Sequence, residues 1–162
     1  MRTMPAILFV CLGNICRSPL AEAALREEAR RRGVALEIDS AGTGDWHVGA
    51  APDPRAQAIA RAHDVEIGHY RVRQVTSADF TRFSHIIALD HENLANLQRL
   101  RPAAADAELS LLLDHVPGRE GEPVADPYFG GPVGFAVTWA DVTAGAQGLL
   151  ARLTESDQPP RV

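Results

Sequence analysis

Ala6-Ile7-Leu8-Phe9-Val10-Cys11-Leu12-Gly13-Asn14-Ile15-Cys16-Arg17-Ser18 runs directly into Pro19 and sets the architecture of everything around it. Ala6 to Val10 is continuously apolar rather than alternating, the pattern of a parallel strand buried on both faces. Ser18 suits a helix N-cap, Pro19 the first helical position and Gly33 the stop. Between them Glu22/Arg26, Glu27/Arg31 and Glu28/Arg32 are spaced i,i+4, which predicts a helix over 19–32. A turn from strand to helix aims successive backbone N–H groups and the positive helix end into one concavity, a cradle for a tetrahedral oxyanion. Gly13 and Asn14 are the residues best able to take left-handed angles and let the loop curl. The spacing lets Cys11 lie at the floor of this bowl and Arg17 at its rim, where a planar guanidinium grips two oxygens of the anion. Amides, dipole and cation together favour a thiolate, so Cys11 is expected as a nucleophile. The plainer reading of these letters is a small buried residue behind a strand and a solvated arginine at a helix start.

Outward from this unit, strand and helix alternate. Leu36 to Ser40 reads as a second strand ending in the turn-rich Ala41-Gly42-Thr43-Gly44, and Pro54 to Ala62 as a helix. Ser84 to Leu89 is a third strand, His91 to Leu100 a helix stopped before Pro102, and Leu109 to Leu113 a fourth strand. Pro117 to Pro132 reads as one long loop, and the last helix as roughly Gly134 to Thr154. Its Phe135, Trp139, Val142, Ala146, Leu149 and Leu153 step by fours and threes onto one face, expected to pack against a sheet. The fold class is α/β, a doubly wound four-stranded parallel sheet flanked by helices, with the phosphate loop after the first strand. Ligands of such folds bind beyond the carboxyl ends of the strands.

The 162 residues, 46% hydrophobic and 23% charged, suit a single domain over 1–162 with a short polar tail at about 155–162. A formal charge of -5 argues against a nucleic-acid surface, and all sixteen basic residues are arginine, a compositional habit rather than a mechanism. The apolar run Ala6 to Leu12 is too short for a membrane span and lacks the small-residue exit of a signal peptide, so no membrane partner is expected. Two cysteines so close together are chemistry rather than a disulfide framework, which points to a reducing, cytoplasmic setting. The six histidines show no ligand spacing, so no metal site is expected. Neither G-x-G-x-x-G nor a Walker-type lysine motif is present, and no cofactor is expected.

Cys11-Leu12-Gly13-Asn14-Ile15-Cys16-Arg17-Ser18 resembles the phosphate loop of low-molecular-weight protein tyrosine phosphatases. The likeness continues through Ser40-Ala41-Gly42-Thr43, Trp46-His47, Pro52 to Ala56, Ala88-Leu89-Asp90 with Asn93-Leu94, and Asp126-Pro127-Tyr128-Phe129. It implies hydrolysis of phosphotyrosine through a cysteinyl phosphate, with Cys11 as nucleophile and Arg17 as phosphate clamp. Leu12, Gly13, Asn14, Ile15, Cys16, Arg17 and Ser18 would surround the phosphate. On the residues alone Asp126-Pro127 reads first as a turn; the resemblance implies that Asp126 protonates the leaving oxygen and then activates water. Trp46, Tyr128 and Phe129, loop aromatics that would otherwise cap the core, are placed by the resemblance around the phosphotyrosyl ring with Leu12 and Ile15. Ile15 is apolar where family members acting on phosphoarginine look smaller and polar.

Asn14, Ser18 and Ser40 match residues that hold the family's loop in shape. The family also places a histidine just before a basic-x-Arg-Gln stretch, whereas here Tyr70 intervenes in His69-Tyr70-Arg71-Val72-Arg73-Gln74, which puts a contact from His69 to Asn14 in question. Cys16 is either inert filler or, as the resemblance implies, a redox partner that closes a reversible disulfide with Cys11. The implied partner is a phosphotyrosine-containing protein, a tyrosine kinase being one such protein; oligomeric state is not legible. Two other readings remain open: an arsenate reductase of the same fold, whose thiol relay needs cysteines beyond Cys16, and a noncatalytic phosphopeptide-binding module, which need not keep Cys11 and Asp126 together.

Overall fold

β1 (Ala6–Cys11) is buried on both faces because successive side chains feed two separate cores. Ile7, Phe9 and Cys11 pack on one side of the sheet, Leu8 and Val10 on the other. A strand with no solvent face has no room for polar alternation, hence the unbroken apolar run. The computed structural model describes residues 4–155; apart from Glu155, the expected polar tail lies outside the described residues.

After β1 come α1 (Arg17–Arg32), β2 (Glu37–Gly42), α2 (Pro54–Ala62), α3 (Asp79–Arg82), β3 (His85–Ala88), α4 (His91–Leu100), β4 (Glu108–Leu111) and α5 (Pro132–Glu155). The strands form one parallel sheet in the order β2-β1-β3-β4. Cys11 pairs in register with Gly42, and Val10 with Ala88, so the strands' carboxyl ends meet at one edge. Strand order reverses there, leaving the crevice in which doubly wound folds bind ligands.

Three boundaries differ from the expectation for physical reasons. β2 runs on through Ala41 and Gly42, expected as turn, because both still pair with β1 and the Gly42 N–H donates to the Arg73 carbonyl at 2.9 Å. Helix α1 begins at Arg17, and Ser18 does not cap it: its hydroxyl is turned inward toward Cys11. The fourth strand stops at Leu111 and the chain continues as a single 3-10 turn, Leu112–His115, whose Asp114 accepts from the Leu111 N–H. The three i,i+4 pairs of α1 all form, at 2.9, 3.4 and 4.0 Å. The predicted apolar face of α5 is buried, but it packs chiefly on α1 and also on α2, joining the core beneath β1 rather than covering the sheet alone. No helix among the described residues is long and apolar enough to cross a membrane.

Candidate active site

The loop between β1 and α1 is curled by one residue. Asn14 takes a left-handed φ of 57°, whereas Gly13 does not; the His47 ring lies beside Gly13, at 3.4 Å from where a Cβ would stand, an ordinary contact distance. Asn14 holds this angle because both ends of its buried amide are engaged. Its Oδ1 accepts from the Arg73 N–H at 3.2 Å, and its Nδ2 donates to Ser18 Oγ at 2.7 Å and Ser40 Oγ at 3.1 Å. Ser40 Oγ in turn donates to Glu22 Oε1 at 2.7 Å. Burial raises the Glu22 carboxyl above its usual range, against the lowering pull of Ser40 and Arg26, the latter donating to it at 2.9 Å.

This chain of hydrogen bonds has a direction. The amide is fixed by the Arg73 N–H, so both amide protons point at hydroxyl oxygens. Each hydroxyl has one proton to give on. Ser40 spends its proton on Glu22, and Ser18 is left to donate to Cys11 Sγ, 3.0 Å away. The Asn14 N–H adds a second donor to that sulfur at 3.3 Å. Cys11 Sγ is therefore met by two donors.

His69 takes no part in this network: it is exposed, and its ring stands edge-on to Tyr70 with centroids 4.9 Å apart. Tyr70, the intervening residue, is the one turned inward. Burial and the neighbouring Glu22 push its hydroxyl up to about 12, and it lies within reach of Arg26.

Across the bowl, the Arg17 guanidinium is almost completely buried. Its Nη1 donates to Asp90 Oδ2 at 2.7 Å and to the Val124 carbonyl at 2.9 Å. Burial alone would lower its pKa, but the charges of Cys11, Asp90 and Asp126 outweigh that and hold it above the ordinary arginine range. The other terminal nitrogen, Nη2, stands 3.7 Å from Asp126 Oδ2. The Asp126 carboxylate is 46% exposed, with Oδ1 occupied by the Tyr128 N–H at 3.0 Å, so Oδ2 is the oxygen that faces the clamp.

These groups enclose a cavity of about 210 Å³ whose walls include Cys11, Leu12, Gly13, Ile15, Cys16 and Arg17 from the loop, and Trp46, Asp126, Tyr128 and Phe129 from the flanking loops. Asn14 and Ser18, expected around the phosphate, do not line it; they stand behind and act on Cys11. Trp46 and Phe129 are 67% and 94% exposed, so both are free to meet a ligand. Cys16, buried beneath the rim, has its thiol pushed up to about 12 by burial, then by Asp53 and Cys11, and both cysteines are free.

Four contributors were not singled out from sequence. Asp90 is the N-cap of α4, accepting from the Asn93 N–H, and the same carboxylate pins Arg17; a buried arginine needs a counter-ion, and an acid just past a strand's carboxyl end was the available signal. Glu22 was read only as half of an i,i+4 pair. His47 was noted only within the Trp46-His47 likeness and was given no role, yet it lines the cavity. Arg55 pairs with Asp53 at 3.0 Å and lies over the Tyr128 and Phe135 rings at 5.3 and 4.8 Å, tying the Asp126 loop to α2 and α5.

A family model described as low molecular weight phosphotyrosine protein phosphatase matches residues 6–159. A low molecular weight protein-tyrosine-phosphatase of Streptomyces coelicolor is 42% identical over 154 residues, 92% of this chain and 93% of that protein. The low molecular weight phosphotyrosine protein phosphatase of Schizosaccharomyces pombe is 39% identical over 147 residues, 89% and 94% of the two chains. The crystal structure of YfkJ from Bacillus subtilis superposes with a TM-score of 0.90 at 36% identity, covering 97% of this chain and 99% of that one. With this match in sequence and in fold, the chain belongs to the low molecular weight phosphotyrosine protein phosphatase family, whose members are phosphoric monoester hydrolases.

Proposed function

We propose that the protein hydrolyses phosphotyrosine in protein substrates through a cysteinyl-phosphate intermediate. The observation that carries this reading is the facing of Cys11 Sγ, with its two donors, against Arg17 and Asp126 across one cavity. The Cys11 thiolate attacks phosphorus while Arg17 and the loop N–H groups hold the equatorial oxygens, as electrostatic stabilisation of a phosphoryl transition state requires. The bond to the tyrosine oxygen breaks as Asp126 Oδ2 gives it a proton. Asp126, now a carboxylate, takes a proton from water as that water attacks the phosphocysteine, releasing inorganic phosphate and regenerating the thiolate. Leu12, Ile15, Trp46, Tyr128 and Phe129 supply an apolar slot suited to an aryl ring, and Ile15 offers no polar group to a guanidinium.

The test is a panel of phosphotyrosine, phosphoserine, phosphoarginine and small aryl phosphates, assayed for phosphate release. Phosphotyrosine and aryl phosphates are expected to turn over about a hundredfold faster than the others. A chelator should not matter, since Arg17 and backbone N–H groups supply the positive charge. Binding without release would identify a phosphopeptide-binding module, and thiol-dependent arsenite production would identify a reductase.

The two free thiols fit a reducing, cytoplasmic setting and a redox role. An oxidant such as peroxide converts the Cys11 thiolate to a sulfenic acid, and the Cys16 sulfur then displaces water to close a disulfide. Because Cys16 is held protonated well above neutral pH, closure should accelerate as pH rises. Peptide mapping of peroxide-treated protein should find Cys11 joined to Cys16, with activity restored by thiol. Irreversible loss with no such bond would refute the protective role.

A further inference from the structure

Trp46 is a partition between two hollows. On one side lies the catalytic cavity; on the other is an open cleft of about 320 Å³ whose walls are Leu12, Thr43, Gly44, Trp46, Asn96, Arg99 and Leu100. Leu12 and Trp46 belong to both, so the cleft adjoins the catalytic cavity across the indole. The partition is held in place although it is two-thirds exposed: the indole lies so close over Gly44 that a Cβ there would come within 2.0 Å of the ring. In this position the indole divides the mouth into two compartments.

Arg99 is the one charged group among the cleft's walls. It is exposed, and its only hydrogen-bond partner among the described residues is the side-chain oxygen of Asn96, a turn back on α4. No carboxylate pairs with it there, in a chain whose formal charge is -5 and where every arginine of α1, together with Arg73 and Arg152, meets an acid. A cation in a wet groove that abuts a phosphate site is complementary to a second negative charge on the same substrate.

We propose that this cleft receives the peptide next to phosphotyrosine and that Arg99 selects an acidic side chain there. The inference rests on the reading of the site as a phosphotyrosine phosphatase and narrows its substrate class to phosphotyrosine flanked by aspartate or glutamate. An extended peptide advances about 3.3 Å per residue with side chains alternating in direction. A residue adjacent to phosphotyrosine, or the next beyond it, therefore reaches past the indole while the phosphorylated ring stands in the catalytic cavity. Arg99 touches neither phosphate nor nucleophile; it is a specificity residue and not part of the chemistry.

The experiment uses matched phosphotyrosine peptides carrying Asp, Ala or Lys at each of the positions on either side, with a small aryl phosphate as reference. On the wild type, kcat/KM should favour Asp over Ala by about three- to fivefold at one or two neighbouring positions, as an exposed ion pair allows, and the preference should shrink with salt. Arg99→Glu should reverse the order at the same positions, favouring Lys, while turnover of the aryl phosphate stays at the wild-type value. Equal kcat/KM for all peptides, or a preference that survives in Arg99→Glu, would overturn the inference and leave the phosphatase reading intact. No turnover of the aryl phosphate by the wild type would overturn the phosphatase reading itself, and the subsite with it.

Discussion

Cys11→Ser should reduce phosphate release by about four orders of magnitude or more while leaving the protein able to bind inorganic phosphate. Serine fits the space, since Cys11 is buried at the end of β1 and its Sγ has, among the described residues, only Asn14 N and Ser18 Oγ in polar contact. What changes is the attacking atom: an alcohol is not ionised near neutral pH, and no general base stands beside it, since Ser18 is a donor and the carboxylate of Asp126 faces the guanidinium. The oxyanion cradle is unaffected because Arg17 is positioned by Asp90 and the Val124 carbonyl, not by the sulfur. Phosphate titration by calorimetry and an aryl phosphatase assay on the same sample check both halves. Wild-type turnover in Cys11→Ser would remove Cys11 from the chemistry.

Asp126→Ala should lower kcat for phosphotyrosine about a hundredfold or more, with the loss depending on the leaving group. A basic phenol needs the proton from Asp126 Oδ2; a nitrophenol leaves without it. The rapid first release of an activated phenol should therefore be nearly unchanged, whereas the water attack that follows loses its base and the phosphocysteine accumulates. Stopped-flow measurement with a series of substituted phenyl phosphates separates the two steps. An equal loss for every phenol in the first step would make Asp126 a structural element, through its bond to the Tyr128 N–H, and not the acid. The substitution is tolerable to the fold because the side chain is nearly half exposed and caps only a loop.

The parts of the fold visible in sequence were those with a strong period or a sharp stop. β1, α1, α2, α4 and the buried face of α5 declare themselves through an apolar run, i,i+4 pairs, a start at Pro54, a stop before Pro102 and the spacing of Phe135 to Leu153. The four-residue α3 has no period to read, and the end of β4 was obscured because Leu111, Leu112 and Leu113 are equally apolar whether in a strand or a turn. In the site, Cys11, Arg17 and their loop were legible because strand, turn and helix all constrain one short segment. Asp126 needed the family likeness, since Asp-Pro is first of all a turn. Glu22 does form its i,i+4 pair with Arg26, but such a pair looks the same on either face of a helix, so its burial and its bond to Ser40 were not legible. Asp90 and Arg55 escaped for a simpler reason: each matters through what it holds, and such partnerships span distant parts of the chain.

Cys11, the proposed nucleophile, is carried on the last residue of an inner strand with no solvent on either side of that strand, and so sits in a rigid mount. The segments bearing Trp46 and Tyr128–Phe129 lie outside that mount and are exposed. Retargeting by design thus has a natural seam: exchange of those two segments changes what is admitted, while the reactive sulfur and its clamp keep their alignment.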